Sequence, residues 1–304
     1  MSFIFDVIAQ GLAYGLLAIG VYITYQVLDY ADLTVEGSFP FGAAICAVCI
    51  TNGMNPFLSL PVAFVLGSLV GLATGILHVK FNISSLLSGI LVMTGMYSVN
   101  LMVTGYKANI NFFQFETIFT YGKRFSSNPT FNSLFTIGIL LVLVIAMKLL
   151  LDWFLKTKYG FLMRITGDNP QLVSTLGIDI GKVKIAGLAL SNAYAALSGA
   201  VVCQFLRYFD INISKGIVVI GLASVIIGLS VFKKVKFVGA TTAVVVGAIG
   251  YRCAIAAALN MGLNPSNLNL MMVILFIIVL VVTNNSLKQK FINFGSRGNS
   301  NGNS

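Results

Sequence analysis

Apolar runs of about 20 residues recur along this chain, and that recurrence leaves few folds open. A helix of about 20 residues crosses roughly 30 Å of hydrocarbon. The runs predict spans at about 4–26, 37–52, 57–80, 84–104, 132–152, 183–206, 216–232, 236–258 and 268–284. They are long and do not alternate, whereas the strands of a membrane barrel are short segments of period two. With 57% hydrophobic and 9% charged residues among 304, nothing is left over for a water-soluble domain. The expectation is an all-α, polytopic membrane helix bundle of about 8–10 transmembrane segments, with broken or re-entrant short helices. A single transmembrane domain is expected over residues 1–294, followed by a disordered tail at 295–304 too polar to pack. Met1–Gln10 has no basic residue, so no cleavable signal is evident and the first span is expected to stay.

Charge placement sets the orientation. The net charge of +10 is clustered: Lys156, Lys158, Arg164, Lys182 and Lys184 lie in one connection, Lys233, Lys234 and Lys236 in a second, Lys288, Lys290 and Arg297 in the tail. With the spans above, all three fall on one side, which is therefore the cytoplasm. The charges flank apolar runs and have no basic domain behind them, which argues against nucleic acid as a partner. An odd number of spans puts the amino terminus outside, together with the long connection 105–130, although that connection carries Lys107, Lys123 and Arg124.

Two spans are too short, and both are flanked by charge. One follows Asp29, Asp32 and Glu36, with Ser38 as its expected N-cap and Pro40 in its first turn. The other follows Arg207, Asp210 and Lys215 and holds Gly216, Gly221 and Gly228. A pair of short, Gly- or Pro-interrupted apolar segments in the two halves of a chain points to a transport path. Backbone groups freed at a helix break must face protein or a watery cavity. A carboxylate facing lipid costs about 3 kcal/mol or more, so Asp32 and Glu36 either sit in headgroup water or face a cavity or partner. They also suit an ion-coupled secondary transporter built from inverted repeats.

Between the fifth and sixth spans, at about 156–182, lies a polar, glycine-punctuated connection: Gly160, Arg164, Gly167, Asp168, Asn169, Pro170 and Gly177. It is long enough for a short helix lying across the membrane surface, an elbow on which a soluble partner docks. Glycines at 11, 15 and 20, at 67, 71 and 75, and at 239, 247 and 250 recur at about one-turn spacing, which lets helices approach closely. Enzyme chemistry finds little support. Ser198-Gly199 follows Ala196 rather than Gly, His78 is the only histidine, and neither a metalloprotease motif nor a phosphate loop occurs. The four cysteines are scattered and read as small core residues, so no catalytic and no metal site is expected.

These stretches carry a resemblance. Asp32–Ala43, Leu87–Leu101, Arg164–Pro170, Lys184–Asn192, Leu197–Ala200 and Gly221–Gly228 together resemble permease subunits of ATP-binding-cassette (ABC) importers, in the branched-chain amino-acid permease group and nearest its tryptophan/tyrosine-type branch. The resemblance implies a prokaryotic cell membrane and a second permease subunit, as a homodimer. It also implies an extracellular or lipid-anchored substrate-binding protein, and cytoplasmic ABC ATPases that carry ATP and Mg while this chain carries no cofactor. It gives the elbow residues the role of ATPase coupling. It runs a path for an amino acid, of aromatic type, along Asp32, Glu36, Ser38, Met93, Thr94, Asn100, Asn192 and Ser224. Glu36 or Asp32 would then attract the substrate ammonium, and the restarting helix would offer its positive end to the carboxylate.

Overall fold

In the computed structural model, residues 2–122, 128–233, 235, 237–261 and 268–283 are described. Lys123, Arg124, Lys234, Lys236, Lys288, Lys290, Arg297 and the tail lie outside them. The chain is an all-α bundle. Six of its helices are long and apolar enough to cross a membrane, and three apolar helices are shorter, among the described residues. The helices are α1 (Ser2–Tyr22), prolonged by a π-helical turn (Ile23–Val27), then α2 (Val35–Thr51), α3 (Pro56–Lys80), α4 (Ser85–Val103), α5 (Pro129–Leu155), α6 (Lys158–Asp168) and α7 (Pro170–Thr175). After them come α8 (Ile180–Leu206), α9 (Ile217–Val231), α10 (Ala240–Asn260) and α11 (Leu268–Thr283).

Local sequence explains where these helices begin. α3 and α5 both open with Asn-Pro: the Asn55 and Asn128 side chains accept the N–H of Phe57 and Thr130, and the proline fills the first helical position, where no donor is needed. Asp179 caps α8 by accepting from Gly181 and Lys182. α8 ends at Arg207, whose left-handed backbone (φ 61°) turns the chain away.

α8 is the central post. Gly67, Gly71 and Gly75 run down the face of α3 that touches it, and a methyl group at any of them would press on α8. Gly42 of α2 abuts the Ala196 carbonyl, and Gly199 of α8 abuts the Phe39 carbonyl, so these two helices meet backbone to backbone. Lipid gives helices no hydrophobic reason to associate, so contact this close is what holds them. Hydroxyls add specific ties between α8 and α1: Ser191 donates to Gly20 O and Ser198 to Ala13 O, each at 2.8 Å.

The two faces of the bundle differ. On one, the elbow lies against the ends of α1 and α5. On the other, a two-stranded antiparallel sheet pairs β1 (Asn109–Asn111) with β2 (Tyr208–Asp210), in the register Ile110↔Phe209. Phe5, Asp6 and Ala9 share a small cavity with Phe119 and Phe205 on this second face, so α1 begins on the side opposite the elbow.

Candidate functional site

The break between α1 and α2 is where polar groups collect. The chain leaves the π-helical turn, passes the exposed Asp29 in a left-handed conformation (φ 48°), and returns into the bundle. Tyr30 tethers the loop: its hydroxyl bonds Ser88 Oγ at 3.0 Å and its ring meets His78 edge-on. Asp32 is 8% exposed. Its Oδ1 accepts the N–H of Thr34 at 2.8 Å and its Oδ2 accepts from Asn192 Nδ2 at 2.8 Å. Ser38 Oγ donates to Asn192 Oδ1 at 2.6 Å, and the Thr34 and Thr74 hydroxyls pair at 2.8 Å. Asn192 lies near the middle of the 27-residue α8, so this network, and the restart of α2 beside it, sits deep in the bundle.

The restart differs from the expectation in two details. α2 begins at Val35 with Thr34 as its N-cap residue. Ser38 is therefore inside the helix, where its hydroxyl also bonds Thr34 O, and Pro40 is past the first turn. The cause is Asp32, which takes the Thr34 N–H and starts the helix earlier. A proline at this position has no N–H to give the carbonyl four residues back, so it leaves the Glu36 carbonyl without a helical partner.

The second break meets the first. The segment after β2 enters the bundle and α9 starts at Ile217, with Gly216 in a left-handed conformation. The carboxylate of Glu36 interacts with the backbone N–H groups of Gly216 and Val218, so the positive end of α9 rests on it. A cavity of about 330 Å³ opens here, lined by Glu36, Gly37, Pro40, Met93, Thr94, Tyr97, Ser98, Asn100, Ile211, Ser214 and Lys215. That volume lies at the small end of the roughly 300–1,000 Å³ typical of small-molecule pockets. A larger cavity of about 450 Å³ between α3, α5 and α8 is almost wholly apolar. Its one polar side chain, Gln204, is already bonded to Ile118 N, Pro56 O and Ser59 Oγ, so nothing there selects a solute.

Of the residues expected along a path, Glu36, Met93, Thr94 and Asn100 line the one cavity. Asp32, Ser38 and Asn192 form the network on the α8 side of α2. Ser224 is elsewhere: it is buried where α9 meets Gly247 of α10, and its hydroxyl bonds Ile220 O. The positive end of α2 is already taken by Asp32 and that of α9 by Glu36, so neither is open to a substrate carboxylate. Sequence reasoning missed Lys215 and Tyr97 as lining residues. The available signal was that Lys215 immediately precedes the short, glycine-started run of α9.

The elbow is built as two short helices. Thr157 caps α6, with Gly160 pressed against Phe154 and Leu155. Asn169 closes α6 and caps α7, and Pro170 is the first residue of α7. Arg164 is within electrostatic reach of Tyr22. Gly167 touches the carbonyl of Val27, at the end of the π-helical turn. Gly177 turns the chain at φ 71°, and Asp168 ends α6 on the exposed surface.

The family of branched-chain amino acid transport system permease components is matched over residues 3–282. The chain belongs to that family. This permease is 42% identical over 293 residues to the tyrosine transport system permease protein of Clostridioides difficile, covering 96% of this chain and 95% of the relative. An uncharacterized protein of Rickettsia prowazekii is 29% identical over 282 residues, 91% of the permease and 96% of the relative. A protein of Methanocaldococcus jannaschii named as a probable branched-chain amino acid transport permease is 31% identical over 196 residues, 61% of each chain. No solved structure matches it. The buried Ser198 hydroxyl of the permease ties α8 to α1. Ser198→Ala is expected to lower stability by about 0.6 kcal/mol, the usual size of such a bond in a membrane. Thermal unfolding in detergent measures that loss, and transport that stayed within twofold would match a purely structural hydroxyl.

Proposed function

We propose that this permease forms the path of an ATP-driven importer for an amino acid, in a prokaryotic cell membrane. The observation that carries this is the meeting of the two broken helices at Glu36: a carboxylate deep in the bundle, held by the start of α9, faces a solute-sized cavity rather than lipid. Cytoplasmic ABC ATPases carrying ATP and Mg dock on the basic elbow, and a substrate-binding protein delivers solute on the opposite face. A second copy of the chain covers α4, where Thr94, Tyr97 and Ser98 are exposed, with no other helix over them among the described residues. Polar side chains at that depth call for a partner or a watery path. The names of two relatives, for tyrosine and branched-chain amino acids, support an amino acid as the solute.

Proteoliposomes holding the permease, its ATPase and its binding protein test this. Uptake of L-tyrosine is expected to need ATP. Glu36→Gln is expected to lower uptake about tenfold, the equivalent of about 1.4 kcal/mol, while ATP hydrolysis continues. Uptake driven by an ion gradient without the ATPase would instead make the chain a secondary carrier. Unchanged uptake in the variant would leave the path featureless and the specificity in the binding protein.

A further inference from the structure

We infer that the cavity at Glu36 is a binding site for the zwitterionic end of an amino acid, with Lys215 as the partner of its carboxylate. The inference rests on the importer reading above and adds that the permease itself recognises the solute.

Three observations meet here. Asn100 is 1% exposed and lines the cavity, and its Nδ2 donates to Gly37 O at 3.4 Å. Its Oδ1 is buried without a hydrogen-bond partner. A buried acceptor left unpaired costs free energy, and a ligand donor met by a turn of the Asn100 amide at the wall would relieve it. Glu36 supplies the second acceptor. A carboxylate has about four lone-pair positions, and the N–H groups of Gly216 and Val218 occupy only part of them. An ammonium group with three hydrogens matches Glu36 and Asn100 Oδ1 together.

Lys215 is the complementary charge. It lines the same cavity and is exposed. The ion pairs of the described residues are Lys148–Asp152 and Lys182–Asp179, so Lys215 is not committed to a carboxylate there. Both helix N-termini at the breaks are already occupied by Asp32 and Glu36, which leaves this ammonium as the cation for a substrate carboxylate among the described residues that line the cavity. Tyr97, Met93 and Pro40 complete the wall with an aromatic ring, a thioether and a pyrrolidine, apolar surfaces against which an aromatic side chain packs.

The test uses the permease–ATPase complex in lipid nanodiscs, without binding protein, and radiolabelled L-tyrosine. Competitors are tyramine, which lacks the carboxylate, and 3-(4-hydroxyphenyl)propionate, which lacks the amine. Wild type is expected to bind L-tyrosine saturably and each analogue at least about tenfold more weakly. Lys215→Gln is expected to weaken L-tyrosine about tenfold and leave tyramine unchanged, with Lys215→Arg restoring the preference. Glu36→Gln is expected to abolish the preference over the propionate. Equal losses for L-tyrosine and tyramine in Lys215→Gln would overturn the assignment. Uptake by the full system separates the two readings. ATP-driven L-tyrosine uptake without saturable binding to the complex overturns this site and leaves the importer standing. Saturable binding with the stated preferences but no ATP-driven uptake overturns the importer and leaves the site. Neither binding nor uptake overturns both.

Discussion

Asn192→Leu is expected to cost about 3 kcal/mol of stability, because it strips the buried Asp32 Oδ2 of its partner and leaves the Ser38 hydroxyl only the Thr34 carbonyl. Asp32 Oδ2 and Ser38 Oγ both bond the Asn192 amide, and both are buried. Taking away one member of such a network leaves the others desolvated and unpaired, which costs far more than the net worth of a single hydrogen bond. A leucine is close in size and fits the apolar surroundings, so the loss is polar rather than steric. Unfolding of membrane proteins is commonly irreversible, and the readout is therefore the inactivation half-life at fixed temperature, or the midpoint at one scan rate. The double variant Asp32→Ala, Asn192→Leu removes the stranded carboxyl as well. It is expected to be less destabilised than the sum of the two single variants by about 1–2 kcal/mol, since the residues touch. An Asn192→Leu protein as long-lived as wild type would mean that the network carries no weight in the fold.

The same residues mark how far the sequence could be read. The apolar runs were legible because hydrocarbon imposes length and composition on whatever crosses it. The short runs at α2 and α9 stood out for the same reason. Where α2 begins was misread: Ser38 has the right side chain for a cap, but Asp32, two residues before Thr34, claimed the start, and only the backbone path of the break decides between them. The sheet was invisible. β1 and β2 are three residues each, separated by the whole of α5 to α8, and no local pattern links them. Lys215 read as one more flanking charge, since sequence does not say which side of a re-entrant segment faces a cavity. Ser224 shows the converse. It lies in a stretch that carries the family resemblance, yet it packs against Gly247 of α10, and only the start of its own helix adjoins the cavity. The glycines at 67, 71 and 75 read correctly as packing, because one-turn spacing is itself a statement about which face they share.

Gly167→Leu is expected to separate ATP hydrolysis from transport. Gly167 meets the carbonyl of Val27, and the Leu28 side chain immediately after it fills the space at Gly187 of α8. α6 thus bears directly on the π-helical turn of α1, and the next residues along the chain are the break that carries Asp32 and Glu36. π-helical turns are weaker than α-helix and recur at functional sites, so this one is a natural place for α1 to bend. On the importer reading, motion of the ATPases enters through α6, passes to Val27 and moves the break. A leucine at position 167 needs the space of the Val27 carbonyl, which backbone cannot vacate, so α6 has to ride outward by about 1 Å. Displacements of that size cost geometry-dependent turnover about a hundredfold. On the same reading the ATPase assembles on the outer surface of the elbow, which the substitution leaves alone, so ATP hydrolysis by the complex is expected to persist while uptake falls about a hundredfold. Full uptake in Gly167→Leu would show that force does not pass through Val27, and equal losses of hydrolysis and uptake would show that the contact serves assembly rather than coupling.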